Sequence, residues 1–396
     1  MHTFQTAPGV AEIRRITAAS SPVRVLHIIK SLGRGGAELL LAETLKKHNK
    51  SKYHFHYLYF LPWKNQVVQE LEAAGGTVIC FPANNNIEIL LQERKIAAYV
   101  KEHRIQLIHC HLPWGGVAGR LAGRITRVPV IYTEHNKWER YHPLTFYMNK
   151  WTFSMQQQVI AVSAEVAKSI RQHFTKPDPP VEVVVNGIDT LKFSRLLPVS
   201  TNVRNDYGIS PDAIVIGIAC VFRAQKRLHT WLELATQLHR LHPQLQFIIA
   251  GDGPLREEIH RQTKELKATE YIHFAGMQQD IRPWLYAMDI FMMTSSFEGL
   301  PLALLEAMSM GCIPACTNAG GINEVVQDQQ NGLLAPVNEP LQLLNSISQL
   351  LNRPEKMEAL KVAARKTVVR HFDMQAMVLH LQKIYDQLLT SPFKVC

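Results

Sequence analysis

The chain has 396 residues, a length that fits two domains. With 46% apolar and 19% charged residues it can form ample cores, and this composition excludes disorder. No run approaches 18 apolar residues, which excludes a membrane-spanning helix. The net charge of +10 is concentrated in residues 1–200, which carry 25 lysines and arginines against 14 carboxylates. This excess favours an anionic membrane or a phosphorylated acceptor as a binding partner, although a basic surface without a partner fits equally. Nucleic acid ranks last among the possible partners because no zinc-finger spacing or basic helix is present. Six cysteines without a disulfide framework indicate the cytoplasm.

The first half of the chain alternates short apolar strands with helices. Residues 1–22 have no apolar centre of signal-peptide type and are predicted to be a flexible leader. Alternation at this spacing predicts a parallel, doubly wound α/β sheet. The predicted strands are Val23–Ile29, His54–Phe60, Thr77–Phe81, Gln106–Cys110 and Val128–Thr133, and the predicted helices are Leu39–Lys47, Gln66–Ala74, Ile87–His103 and Val117–Arg124.

A glycine-rich loop follows the first strand. Gly33, Gly35 and Gly36 leave room for backbone N–H groups to approach a phosphate, but a plain tight turn is about as well supported. The spacing is not G-x-G-x-x-G and no Walker lysine follows, which speaks against a nicotinamide-dependent Rossmann enzyme.

Histidines follow two neighbouring strands. Strand alternation sends His109 and Cys110 to opposite faces, and no second ligand cluster is apparent in the sequence, so a zinc site is disfavoured. His111 and His135 lie at the carboxyl ends of their strands, where ligands gather in such sheets. A satisfied loop histidine is an equally good interpretation of His135.

The stretch Trp138–Phe153 is aromatic and basic, which fits a contact with a membrane surface or an acceptor, or a partly buried helix. Ser163 is predicted to cap a helix over Ala164–His173. A proline-rich break at Pro177–Pro180 and the loop Ser194–Thr201 place the hinge near 195–205, between domains at 23–200 and 201–373.

The second half repeats the pattern with a basic loop after its first strand. Arg223 and Lys226 come directly after the buried strand Ala213–Cys220, a position that favours ligand binding over a plain surface cluster. Further predicted strands are Gln246–Ala250 and Ile290–Met293, and the predicted helices are His229–Leu241, Leu341–Leu351, Pro354–Phe372 and Met374–Leu389.

The most informative stretch is Thr294–Gly311, TSSFEGLPLALLEAMSMG. Pro301 suits the start of a helix and Gly311 its end, so Glu298 precedes the helix and Glu306 lies within it. The two carboxylates should be on the order of 10 Å apart, which is wide for a glycosidase pair but matches the span from sugar to ribose in a nucleotide sugar. The free N–H groups of the helix start would face the diphosphate between them.

This E-x7-E pattern, followed by Gly320-Gly321-Ile322-Asn323-Glu324, resembles the signature of retaining glycosyltransferases of family 4. The resemblance covers about residues 23–390. It implies the GT-B fold, with two Rossmann-like domains facing a central cleft and a last helix, within 374–396, that crosses back onto the first domain.

The resemblance also implies roles for individual residues. Glu298 and His111 would contact the transferred sugar and Glu306 the ribose, while Lys226 would bind the diphosphate. Where the family has an arginine this chain has Val221, and Arg223 is expected to supply the missing cation. The remaining donor contacts expected from the family are Gly35, Gly36, Gly276, Gly299, Leu300 and Pro301.

The sequence thus predicts a retaining glycosyltransferase that moves a hexose-type sugar to a hydroxyl acceptor, such as a sugar or a lipid-linked sugar, in envelope, exopolysaccharide or glycolipid synthesis. No D-x-D pair occurs, so we expect no metal and no cofactor. A cytoplasmic protein, peripheral on the inner face of the membrane, fits these expectations. The alternative is a non-catalytic nucleotide-sugar-binding partner of an envelope-assembly complex, which the departure at Val221 favours.

Overall fold

The computed structural model describes residues 21–174 and 179–390. The predicted leader, 1–22, lies almost wholly outside the described residues, as does part of the predicted break at 177–180. Two parallel α/β domains follow one another along the chain, as the alternation of strands and helices predicts.

The first domain is built on a seven-stranded parallel sheet in the order β3-β2-β1-β4-β5-β6-β7. Its strands are short and nearly continuous in apolar residues, because helices cover both faces. They are β1 (Val23–Ile28), β2 (Tyr53–Tyr59), β3 (Thr77–Cys80), β4 (Leu107–His111), β5 (Val130–Glu134), β6 (Gln158–Ala161) and β7 (Val181–Val183).

Helices cover the first sheet on both faces, with α1 on one face and α5 and α7 on the other. They are α1 (Gly36–Lys47), α2 (Val68–Ala73), α3 (Asn86–Leu90), α4 (Glu93–Glu102), α5 (Leu112–Thr126), α6 (Pro143–Thr152) and α7 (Ala164–His173). The single helix predicted over Ile87–His103 is wrong, since it is interrupted between α3 and α4. Ser163 accepts a hydrogen bond from the Val166 N–H, so the predicted cap of α7 is confirmed.

Helix α5 begins five residues before the predicted Val117, inside the glycine-rich stretch. Its glycines permit close packing onto the sheet: a Cβ on Gly115 would lie 2.8 Å from the Ile28 carbonyl oxygen, and one on Gly119 would lie 2.1 Å from Cys110 Sγ. The glycines therefore serve helix–sheet contact and not a turn.

The second domain has a six-stranded parallel sheet in the order β10-β9-β8-β11-β12-β13. Two strands, β9 and β11, have the predicted bounds, and β10, β12 and β13 were not predicted as strands. The strands are β8 (Val215–Ala219), β9 (Gln246–Ala250), β10 (Ile272–Gly276), β11 (Ile290–Met293), β12 (Ile313–Thr317) and β13 (Leu333–Ala335). The helices are α8 (Val203–Asp206), α9 (Leu228–Leu241), α10 (Arg256–Glu265), α11 (Arg282–Ala287), α12 (Leu302–Ser309), α13 (Gln342–Leu351), α14 (Pro354–His371) and α15 (Met374–Thr390).

Two segments connect the domains and pair with each other. Ile188 and Asp373 form a parallel bridge, in which the Ile188 N–H donates to the Phe372 carbonyl at 2.9 Å and the Met374 N–H donates to the Ile188 carbonyl at 3.0 Å. Beyond this crossing α15 packs against α1, and Tyr385 is buried in the core of the first domain. Phe193 already belongs to the core of the second domain, and the exact limits of the domains stay a prediction.

Among the described residues, no helix combines the length and the apolar character that crossing a bilayer requires.

Candidate active site

A buried ion pair lies where two loops of the second domain meet. The Nζ of Lys226 is 2.6 Å from Oε1 of Glu298, and both side chains are largely buried. Burial alone would lower the pKa of Lys226, but the carboxylate of Glu298 outweighs that effect and the pKa is raised. The lysine is therefore a fixed positive charge across the physiological pH range.

Hydrogen bonds within and between the two loops hold this ion pair in place. Ser295 Oγ donates to Glu298 Oε1 at 2.6 Å, and the Ser296 N–H donates to the Gln225 carbonyl at 2.8 Å. Thr294 Oγ1 donates to the Lys226 carbonyl at 3.1 Å. These loops follow the neighbouring strands β8 and β11, so the sheet itself brings Lys226 and Glu298 together.

The start of α12 faces the first domain across the cleft. Pro301 precedes the helix, and the N–H groups of the next two residues have no acceptor within it. A Cβ on Gly36 would lie 3.9 Å from the Leu302 side chain, so the glycine loop and the start of α12 lie face to face. Gly311 has φ +77° and ends the helix as predicted, with the Cys312 N–H donating to the Ala307 carbonyl.

The segment between Glu298 and α12 contacts the first domain directly. A Cβ on Gly299 would lie 2.4 Å from the His135 carbonyl oxygen, so only glycine permits this approach. Asn186 Nδ2 donates to the Leu300 carbonyl at 3.2 Å. Both domains thus meet at the residues between the two predicted carboxylates.

Arg223 is exposed and lies near Lys226, as the prediction of a second cation requires. Its positive charge also acts across the cleft on Glu38, in the first turn of α1. Burial raises the pKa of Glu38, while a hydrogen bond from Ser31 and the charge of Arg223 oppose that rise. The arrangement leaves the Arg223 guanidinium available to an anion.

Glu306 is half-buried on α12, and its charged neighbours are Lys192 and Glu43. Burial raises its pKa to about 7, with Lys192 lowering it and Glu43 raising it. Lys192 Nζ also bonds Glu43 Oε1 at 3.0 Å. Glu306 therefore faces charged groups of the interdomain region and does not point into an apolar core.

His111 belongs to a buried histidine network in the first domain. His27 Nδ1 and His111 Nε2 are 2.9 Å apart, and His111 Nδ1 is 3.4 Å from His135 Nε2. His109 bonds Tyr385 Oη and Thr133 Oγ1, each at 2.7 Å. Burial lowers the pKa of all four imidazoles, to about 3 for His109 and about 4 for His135, so they are neutral.

The network lines a cavity of about 40 Å³ between the sheet, α1 and α15. One ring nitrogen from each of His27, His109 and His111 lies within 4.8 Å of the others, a grouping open to a metal ion. Both nitrogens of His109 and of His111 already have hydrogen-bond partners, however, so the geometry suits a network of neutral rings better than a ligand set. The sequence did not reveal His27 because it lies 84 residues before His111.

Gly276 lies at the end of β10 with φ +66° and lines a cavity of about 280 Å³. Phe274 lines the same cavity, with its ring stacked on His260 at 4.0 Å between centroids. The cavity also contains polar groups, including Arg256 and Asp252, which pair at 2.8 Å. It lies beside Phe222, the residue before Arg223, and so adjoins the basic loop.

Glu324 makes an interdomain contact that the sequence gave no reason to expect. Its two carboxylate oxygens accept hydrogen bonds from the Ala164 and Glu165 N–H groups, both at 2.9 Å, at the start of α7 in the first domain. A second contact places the Arg140 guanidinium 4.4 Å from the ring centroid of Phe297, next to Glu298. The Gly320–Glu324 pattern carries the only signal for the first contact, and no local pattern indicates the second.

Two facing parallel α/β domains, with this lysine–carboxylate pair in the cleft, define a glycosyltransferase of the GT-B class. The family model of glycosyl transferases group 1 matches residues 199–367, and that of glycosyltransferase family 4 matches residues 34–192. The chain belongs to the family 4 glycosyltransferases, as the E-x7-E pattern predicts.

Relatives and solved structures agree with this assignment. EpsD of Bacillus subtilis, named as a glycosyltransferase, is 24% identical over 387 residues, which is 90% of this chain and 98% of EpsD. An Escherichia coli α-1,3-galactosyltransferase that acts on GlcNAc-diphosphoundecaprenol is 23% identical over 74% of this chain and 78% of its own length. HepE of Anabaena, solved with UDP and glucose, superposes with a TM-score of 0.82 at 21% identity and covers 92% of this chain and 100% of HepE.

Proposed function

We propose that this protein is a retaining, metal-independent hexosyltransferase that takes its sugar from a nucleotide-sugar donor. The observation that carries the proposal is the Lys226–Glu298 pair beside the start of α12, facing the glycine loop across the cleft. Solved relatives with UDP and UDP-glucose support the donor class. Acceptors in envelope, exopolysaccharide or glycolipid synthesis are supported by the relative that acts on a diphosphoundecaprenol-linked sugar.

In the proposed reaction the acceptor hydroxyl oxygen bonds the anomeric carbon as the bond to the diphosphate oxygen breaks. Attack comes from the same face as departure, and the acceptor proton passes to an oxygen of the leaving phosphate. Lys226, Arg223 and the N–H groups at the start of α12 stabilise the charge that develops on the diphosphate. No step in this scheme needs a metal ion.

Glu298 and His111 position the sugar from opposite domains, and Glu306 binds the ribose hydroxyls. Gly35, Gly36 and Gly299 let backbone approach the diphosphate, together with Leu300 and Pro301, and Gly276 lies against the base. His111 is neutral and is held by His27 at 2.9 Å, whereas its contact with His135 is long, at 3.4 Å. A sugar hydroxyl replaces His135 as the partner of His111 Nδ1, which adds a hydrogen bond without adding charge.

Contact with the inner face of an anionic membrane is part of this proposal, for a cytoplasmic protein. Leu144, Tyr147 and Trp151 lie on one side of α6 and are each more than half exposed. An aromatic stripe on a domain with excess positive charge suits a lipid surface. Trp151→Ser should reduce sedimentation with phosphatidylglycerol vesicles and leave phosphatidylcholine controls unchanged.

A thermal-shift screen against UDP, GDP and ADP sugars tests the donor class, because a ligand that binds only the native state raises the melting temperature. One nucleotide series should stabilise the protein, and His111→Asn should reduce the effect of the sugar but not that of the nucleoside diphosphate. No shift with any donor would contradict the proposal.

Donor hydrolysis separates an enzyme from the non-catalytic partner that the departure at Val221 favours. An enzyme should release nucleoside diphosphate from the donor that stabilises it, and NMR of the transfer product should show the anomeric configuration of the donor. Binding without release would identify the non-catalytic partner, and an inverted product would exclude retention.

A further inference from the structure

Two lysines of the first domain are held close together beside the glycine loop. Lys30 follows β1 and Lys64 lies in the loop after β2, where the Leu32 N–H donates to the Lys64 carbonyl at 2.9 Å. Lys30 Nζ donates to Asn86 Oδ1 at 2.8 Å. Burial lowers the pKa of Lys30, and the charge of Lys64 lowers it further. Within the described part of the chain neither ammonium forms an ion pair, so no carboxylate neutralises these two mutually repelling cations.

Exposed apolar side chains flank these two cations. Trp63 precedes Lys64 and is 53% exposed, while Ile87 follows Asn86 and is 70% exposed, as is Leu91 at 74%. All of these residues follow β1, β2 or β3, so they share the carboxyl edge of three adjacent strands. Single exposed apolar residues are ordinary, but large ones gathered beside unpaired cations suit an amphiphilic anion.

This edge adjoins the glycine loop. The side chain of Lys64 would lie 3.8 Å from a Cβ on Gly33, at the start of the glycine loop. Lys64 also acts electrostatically on Glu38, which in turn feels Arg223 across the cleft. The glycine loop thus lies between the lysine pair and the Lys226–Glu298 pair, as an acceptor site beside a donor site requires.

Helix α3 and the exposed apolar side chains of α6 lie on the same face of the first sheet. Both α3, which carries Ile87, and α6 pack against α5 on the same face of the sheet. A lipid-linked acceptor held at a membrane by α6 would therefore approach the domain from the face that carries α3. A free phosphate or sugar phosphate would use the cations alone and leave Trp63, Ile87 and Leu91 unexplained.

We propose that Lys30 and Lys64, with Trp63, Ile87 and Leu91, bind the diphosphate and first isoprene units of a polyprenyl-diphosphate-linked sugar acceptor. This inference rests on the proposed function, since it concerns the acceptor of the same reaction. The lysines bind the diphosphate, the apolar residues contact the prenyl chain, and the attached sugar extends past the glycine loop to the anomeric carbon of the donor.

Isothermal titration with farnesyl diphosphate tests the site directly. The nucleoside diphosphate identified by the donor screen is kept at saturation, so that Lys226 and Arg223 are occupied. The full chain should bind farnesyl diphosphate at least tenfold more tightly than inorganic pyrophosphate. Lys30→Gln with Lys64→Gln should weaken both ligands at least tenfold, because each lost charge-assisted contact removes about a tenfold factor.

Matched variants separate the two halves of the site. Trp63→Ser with Leu91→Ser should weaken farnesyl diphosphate several-fold and leave pyrophosphate unchanged. Lys50→Gln is the control, because it removes an exposed lysine at the opposite edge of the sheet, before β2. It should change neither affinity.

Three results would overturn the inference: no binding of farnesyl diphosphate, equal affinity for farnesyl diphosphate and pyrophosphate, or unchanged affinity in the double lysine variant. Stabilisation by the nucleotide sugar is measured on the same samples. If that stabilisation persists while farnesyl diphosphate fails to bind, only the acceptor site is wrong. If the nucleotide sugar itself has no effect, the proposed function fails.

Discussion

The two domains contribute opposite kinds of chemistry to the cleft. The second domain presents charge, in the ion pair of Lys226 and Glu298 and in the exposed guanidinium of Arg223. The first domain presents the neutral imidazoles of His111 and His135, whose pKa values are lowered by burial. The difference fits a nucleotide sugar, since the diphosphate needs positive charge and the sugar hydroxyls need hydrogen bonds without charge.

The largest expected effects come from separating the charged pair. Lys226→Met leaves the buried Glu298 carboxylate without a counter-charge and should cost about 3–5 kcal/mol in the free energy of unfolding, and Glu298→Gln likewise strands the lysine. The double variant should cost less than the sum of the two. Urea unfolding of all four proteins measures this coupling. Additive costs would show that the pair is not an electrostatic unit.

Activity in the same set of variants distinguishes function from stability. Each single variant and the double variant should lose about 10²–10³-fold in transfer rate, because restored stability does not restore charge at the diphosphate. The transfer rate is measured well below each variant's melting temperature. A double variant with near-normal transfer would remove the chemical role of both residues.

A smaller effect should follow from weakening the contact between the domains. Glu324→Gln keeps one acceptor oxygen but removes the negative charge at the start of α7, which destabilises the closed arrangement of the domains. The KM for the donor should rise about threefold to tenfold while kcat changes little. Glu355→Gln, an exposed carboxylate elsewhere on the second domain, is the control. A fall in kcat at constant KM would contradict this role.

The buried neutral histidines of the first domain, here called the neutral half of the cleft, should make stability depend on pH. The pKa of His109 is lowered to about 3 and those of His48 and His135 to about 4, against 6.5 for an unperturbed imidazole. Between pH 6.5 and about 4 the unfolded chain binds more protons than the native one, so the free energy of unfolding falls as the pH falls. Each group contributes up to about 1.4 kcal/mol per pH unit.

His109→Gln removes one of the histidines that bind a proton when the chain unfolds. Urea unfolding between pH 7.5 and 5 should show that the free energy of unfolding depends less steeply on pH in the variant. Near pH 5 the difference in slope should correspond to about one proton fewer taken up on unfolding. The slope is the informative quantity, because the lost hydrogen bonds to Tyr385 and Thr133 lower stability at every pH. An unchanged slope would show that His109 is not the source of the proton uptake.

Much of the charged half of the cleft, which the second domain contributes, was predictable because short stretches of sequence determine its structure. Strands β9 and β11 have the predicted bounds, and Lys226 and Glu298 each lie in a loop directly after an apolar strand. Parallel topology then brings those loops together without further information. Pro301 and Gly311 likewise fix the limits of α12 through local backbone chemistry.

The neutral half was less predictable because it depends on packing between distant segments. His27 joins His111 only through the pairing of β1 with β4, and the Glu324 contact spans about 160 residues. Glycines that resemble a loop, such as Gly115, lie within α5 because the helix approaches the sheet closely. The break between α3 and α4 has no proline or glycine to mark it.

We propose that protein charge, and not a metal ion, stabilises the departing nucleoside diphosphate. The most direct measurement is the rate of nucleoside diphosphate release from the stabilising donor after dialysis against EDTA, in the wild-type protein and in Lys226→Met. EDTA should leave the wild-type rate unchanged, and the rate of the variant should fall at least 10²-fold. Loss of the wild-type rate in EDTA with recovery on adding Mg²⁺ or Mn²⁺, or a variant as fast as the wild type, would contradict this proposal.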